Sequence, residues 1–191
     1  MSRRFVLKLT QKKIVSIILV LAIVLASVAG GIYYGVTGGV HGTPEKQQTL
    51  LSNKSFVMKP QKGTEGSDIY LTFSDDGSVA YADDATYSTN KVTGVYAVYT
   101  GDDIAKLYKE NKSTDGLSYS DIKTVKEAVD SMVDAQLAKD TTHVVYLQLS
   151  NLKDETGKNI ENRIFMGVSD GMDGYSLEEM STRSYYQMSI S

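Results

Sequence analysis

The chain has no cysteine and only two histidines. Without thiols there is no disulfide, no thiol nucleophile, no cysteine-ligated metal and no lipid attached through a cysteine. His41 sits in a Gly- and Pro-containing stretch and reads as solvated, which leaves His143 as the lone histidine of everything downstream. A zinc site is therefore not expected, nor is any other metal or cofactor. Acidic residues are also missing ahead of Glu45, whereas Arg3, Arg4, Lys8, Lys12 and Lys13 crowd the start. Internal repeats and low-complexity tracts are lacking. Beyond residue 36 the balance reverses: 15 of the 20 Lys and Arg face all 23 Asp and Glu, a net of −8. An acidic body disfavours nucleic acid or anionic wall polymers as partners, while it accommodates cationic peptides or Ca²⁺.

What is present first is an uncharged apolar run from Ile14 to Val36. At about 1.5 Å per helical residue it reaches roughly 34 Å, enough to cross a hydrocarbon core of about 30 Å. The basic residues ahead of it place the N-terminus in the cytoplasm and the remaining chain outside. Partition follows: a basic cytoplasmic segment 1–13, a transmembrane helix 14–36, a linker 37–54 and an extracytoplasmic domain 55–191. The alternative is a signal peptide, with the small residues Ser27-Val28-Ala29 at a cleavage position and a secreted factor released after Ala29. Against cleavage, the apolar run continues, Tyr33 and Tyr34 sit where an aromatic belt belongs, and Gly31 and Gly35 form a small-xxx-small pair. An exported domain without disulfides suits a bacterial surface better than a eukaryotic secretory route. Asn53-Lys54-Ser55 and Asn111-Lys112-Ser113 match the glycosylation sequon by chance.

The domain opens with strand signals. Phe56-Val57-Met58 is a short apolar run. Ile69, Leu71 and Phe73 then alternate with Tyr70, Thr72 and Ser74, the period of a half-buried strand. Asp76-Gly77 marks a tight hairpin with both central residues at positive φ, and Val79 and Tyr81 continue the return strand. A β-branched and aromatic run over 92–99 is a third strand. The period then changes. Residues 103–110 hold helix formers, with Thr100 and Asp103 at capping-box spacing. Ile122, Val125, Val129, Met132 and Val133 recur helically over 118–139, behind Ser118 and Asp121. Their other side is charged, so this helix is expected to lie on a sheet. Strands return at 145–149 and 163–168, Ser176-Leu177-Glu178-Glu179 reads as one helical turn, and 185–190 closes the chain as a strand. Strands, then helices, then strands make an α+β domain on a mainly antiparallel, strongly curved sheet with one or two inserted helices.

The Phe73-x-x-Asp76-Gly77 hairpin followed by the Gly94-x-Tyr96 strand resembles the lipocalin-like extracytoplasmic domains of bacterial membrane-anchored surface proteins. The resemblance spans roughly 70–190 and implies a barrel. The helical segment 103–139 departs from that family's strand-to-strand order, which leaves a closed barrel and an open curved sheet both standing.

Candidate chemistry is sparse. Gly167-Val168-Ser169-Asp170-Gly171 matches G-x-S-x-G, but that serine elbow needs a helix after the turn and a histidine later in the chain. The sequence supplies a second glycine turn and no later histidine, so no catalytic residue is assigned. His143 is expected at a strand start, on the face of Val145, Leu147 and Leu149. The pairs Asp75/Asp76, Asp83/Asp84, Asp102/Asp103 and Asp170/Asp173 lack calcium-loop spacing and read as turn chemistry. Tyrosine stands out. Of the strand tyrosines, Tyr70, Tyr81, Tyr96, Tyr99, Tyr146, Tyr185 and Tyr186 are the candidate binding residues for a peptide or glycan, against ordinary sheet packing.

The expectation is a non-enzymatic, single-pass surface protein whose external domain binds another envelope or extracellular protein or peptide. Its rivals are an envelope hydrolase using Ser169 and His143, an immunity or phage-exclusion factor, and the secreted factor.

Overall fold

A computed structural model describes residues 50–114 and 117–191. The segment 14–36, the Ala29 cleavage position, His41 and the linker up to residue 49 lie outside them. Among the described residues, no helix is long and apolar enough to cross a membrane. The chain divides into two compact units, one helical over Gly101–Val144 and one built of strands before and after it.

The strand unit holds β1 (Lys54–Pro60), β2 (Ile69–Phe73), β3 (Ser78–Ala82), β4 (Val92–Thr100), β5 (Val144–Asp154), β6 (Arg163–Ser169), β7 (Tyr175–Glu179) and β8 (Ser184–Ile190). They follow one another around a closed barrel, and β8 returns antiparallel to β1, with Met58 opposite Met188. Closure leaves no edge strand, so the open-sheet alternative is ruled out.

Alternation places the core. Ile69, Leu71 and Phe73 are buried while Tyr70 and Thr72 between them are half-exposed. The same period sends Phe56 and Met58, Tyr96 and Val98, Leu147 and Leu149, and Tyr175 and Leu177 into one cluster. An eight-stranded barrel is just wide enough for side chains to fill, and here aromatic rings fill it. Phe73 meets Tyr96 edge-on at 4.8 Å between centroids, and Phe56 meets both Phe73 and Tyr175 at 5.8 Å. Burial pushes the Tyr175 phenol up to about 12, helped by the charges of Asp173 and Asp170.

The hairpin and Gly-x-Tyr residues meet in space. The Tyr96 hydroxyl donates to the Ser74 carbonyl at 3.0 Å, and its amide donates to the Gly77 carbonyl at 2.9 Å. Gly94 lies where β4 shifts register against β5; a Cβ there would meet the Ser150 carbonyl at 2.6 Å. One detail of the hairpin differs from expectation. Only Gly77 takes a positive φ (83°), and Asp76 does not. The connection is a three-residue loop, with the Ser74 amide bonded to the Ser78 carbonyl, so glycine is needed at its last position alone.

The segment Tyr175–Glu179 is strand β7, not a helical turn. Its backbone groups are taken by β6 and β8 on either side, and that pairing overrides a sequence that suits a helix start.

In the helical unit, α1 spans Gly101–Lys109 and α2 spans Tyr119–Asp134. The Ser118–Asp121 capping box forms as expected. Ile122, Val125, Val129 and Met132 are buried along one stripe of α2, while Lys126 and Lys123 pair with Asp130 and Glu127 on the other. His143 departs from its expected place: it ends a 3₁₀ turn over Thr141–His143, just before β5 begins. Its Nδ1 donates to Asp140 at 2.8 Å. The Thr142 hydroxyl and then His143 hold the Asp140 carboxyl down at about 2.

Candidate functional site

One end of the barrel is lined differently from the rest. Four connections cluster there: 61–68, 83–91, 155–162 and 180–183, which follow β1, β3, β5 and β7. On β6, position 163 has the same inward parity as Phe165, so the side chain of Arg163 enters the barrel where an apolar residue would ordinarily sit. On β7, Glu179 likewise follows Tyr175 and Leu177 on the inward face. The two strands pair with Phe165 opposite Glu179, which brings the charges together.

The result is a fork-to-fork ion pair. Arg163 donates from Nε to Glu179 Oε1 at 2.7 Å and from Nη2 to Oε2 at 2.9 Å. The side chains are 18% and 5% exposed, so the pair is largely removed from water. The Thr182 hydroxyl adds a third bond to Oε2 at 3.1 Å. The guanidinium carbon also lies 5.1 Å from the Phe165 ring centroid and 5.4 Å from that of Tyr81. Burial alone would depress the Arg163 pKa, but the bonds to Glu179 outweigh it and hold the charge more firmly than usual. Tyr81 is pushed up, by burial first and against the pull of Arg163. Tyr186 completes the wall, its ring edge-on to Phe165 at 6.2 Å.

Beside this pair a cavity of about 470 Å³ opens, bounded by Tyr81, Arg163, Glu179 and Tyr186 and rimmed by Glu65 and Glu161. That volume lies within the range of small-ligand sites. Its two charges satisfy each other through the paired bonds.

The seven candidate tyrosines do not form one surface. Tyr81 and Tyr186 come together at Arg163, and Tyr96 is inside the barrel with its hydroxyl on Ser74. Tyr99 and Tyr146 pack against each other at 6.2 Å between centroids, on the opposite face of their strands from Val98 and Leu147. Tyr70 and Tyr185 alternate with inward neighbours and therefore face outward. Arg163 and Glu179, which organise the site, were not among the candidates. Arg163 falls in phase with the buried Phe165 of its strand, a pattern that gains meaning only with Glu179 across the ladder.

The other motifs resolve into turns. Ser169 ends β6, and its hydroxyl accepts from the Gly171 amide at 3.0 Å; the chain then turns into β7, with no helix after the serine. Asp170 accepts the amides of Met172 and Gly174 at 2.7 and 3.0 Å. The Thr86 hydroxyl, with the amides of Ser88, Thr86 and Thr89, holds Asp84 well below the usual carboxylate range. Asp173 pairs with Lys54 at 2.5 Å, tying the β6–β7 turn to β1. Among the described residues, no three His, Asp or Glu gather to hold a metal ion. Comparison with known proteins found no matching family model, no matching curated protein and no matching solved structure.

Proposed function

We propose that this chain is a single-pass, membrane-anchored extracytoplasmic binding or accessory protein, non-enzymatic, that holds its ligand or partner at the mouth of the barrel. The observation that carries the binding site is the filled interior. Phe56, Phe73, Tyr96 and Tyr175 occupy the space a hollow calyx would need, and a cavity opens at the mouth beside Arg163 and Glu179. The anchor rests on the uncharged run from Ile14 to Val36 behind five basic residues. A bacterial cell surface is the setting this reading favours, with another envelope protein or peptide as the partner class.

Alkaline extraction of membranes from cells expressing the full chain tests the anchor. The intact chain should stay in the pellet with a mass that includes residues 1–36. A soluble chain starting after Ala29 would replace the anchored reading with the secreted one.

A further inference from the structure

The mouth of the barrel has a charge balance that selects its guest. Three carboxylates (Glu65, Glu161 and Glu179) line the cavity with Arg163 as its single cation. Arg163 and Glu179 cancel each other through two short bonds, so the guanidinium is committed and the surplus negative charge belongs to the exposed rim. An anionic guest would meet that rim. To reach Arg163 it would also have to displace Glu179, leaving a carboxylate that is 5% exposed without its counter-ion. A cation meets no such obstacle. It gains the field of Glu65 and Glu161, and Tyr81 and Tyr186 in the lining give its alkyl chain apolar contact. The Tyr81 ring is already engaged by the Arg163 guanidinium at 5.4 Å, so the guest's charge is met by the rim carboxylates.

We propose that the barrel mouth binds an alkylammonium group, carried by a lysine side chain of a peptide or by a free polyamine. This rests on the mouth being the binding site. Glu65 and Glu161 select the charge, Tyr81 and Tyr186 line the path of the alkyl chain, and the Arg163–Glu179 pair forms a neutral floor.

The test is a side-chain NMR titration of the full chain in detergent micelles, following the Arg163 Nε–H and Tyr81 ring signals. The probes are a lysine tripeptide amide, its glutamine counterpart and 1,3-diaminopropane. The lysine tripeptide should shift both signals, and Glu65→Gln and Glu161→Gln should each weaken it roughly two- to fivefold. Raising salt from about 50 to 500 mM should weaken it further, because the rim is exposed. Diaminopropane matching the tripeptide identifies a free amine as sufficient; a clear preference for the tripeptide identifies a peptide side chain. Both support the assignment. Equal binding of the glutamine tripeptide, or lysine binding untouched when Glu65→Gln and Glu161→Gln are combined, overturns the ammonium assignment while leaving the mouth as a site. No shift at Arg163 or Tyr81 with any probe at millimolar concentration overturns both.

Discussion

Glu179→Ala should lower the melting temperature of the protein by about 6–20 °C, one of the two largest effects expected of a single substitution. The reason is the asymmetry of buried charge. Removing one partner of a desolvated pair strands the other, at a cost of about 3–5 kcal/mol, whereas replacing both by apolar groups of similar volume is close to neutral. Each kcal/mol moves the melting temperature of a domain this size by about 2–4 °C or somewhat more. Arg163 is only 18% exposed and lies among Tyr81, Phe165 and Glu179, so it cannot reach water without disturbing the wall. The double variant Arg163→Met with Glu179→Leu should therefore recover most of the loss. A double variant no more stable than Glu179→Ala would show that the pair is stabilising in its own right. A Glu179→Ala protein that melts as the wild type does would mean that the pair is effectively solvated.

Phe73→Ala should cost about 3–5 kcal/mol, measured by denaturant unfolding. Phe73 is fully buried and touches the rings of both Phe56 and Tyr96, so truncation leaves a cavity that a closed barrel cannot collapse to fill. The neighbouring Thr72 provides the control. Its side chain faces the other way and bonds to Ser55 at 3.0 Å and to Tyr87 at 2.6 Å. Thr72→Ala should cost about 0.5–1.5 kcal/mol. Equal losses at the two positions would contradict the assignment of the barrel's inner face.

Local patterns announced much of this fold. The alternation of Ile69, Leu71 and Phe73 marked an inner face, Gly77 marked the turn after it, and Ser118 with Asp121 marked the start of α2. Each is a signal contained within a few residues. What stayed hidden depends on partners distant in sequence. Barrel closure lies in the pairing of β1 with β8, which nothing near Met58 or Met188 declares. Strand β7 is five residues long, too short for alternation to compete with a Ser-Leu-Glu-Glu string that also suits a helix start; β6 and β8 decide it.

The candidate site is half legible. Tyr81 and Tyr186 are among the seven tyrosine candidates, but the seven cannot share one face: Tyr185 and Tyr186 are adjacent, and adjacent residues on a strand point to opposite sides. Glu179 escapes because Ser176-Leu177-Glu178-Glu179 suits a helix start, and Arg163 because a charge at a strand end ordinarily marks the solvent boundary. Its inward phase has meaning only once the opposite charge is known to sit across the β6–β7 ladder.

The absence of cysteine gives a direct test of where the strand unit resides. Met172, at the β6–β7 turn, is 83% exposed, so Met172→Cys would carry the chain's sole thiol in an open position. A membrane-impermeant maleimide applied to intact cells should label that variant, and should label a Ser2→Cys variant only after permeabilisation. Labelling of Met172→Cys that also waits for lysis would put the barrel on the same side as the basic N-terminus and contradict the anchored, outward-facing binding protein.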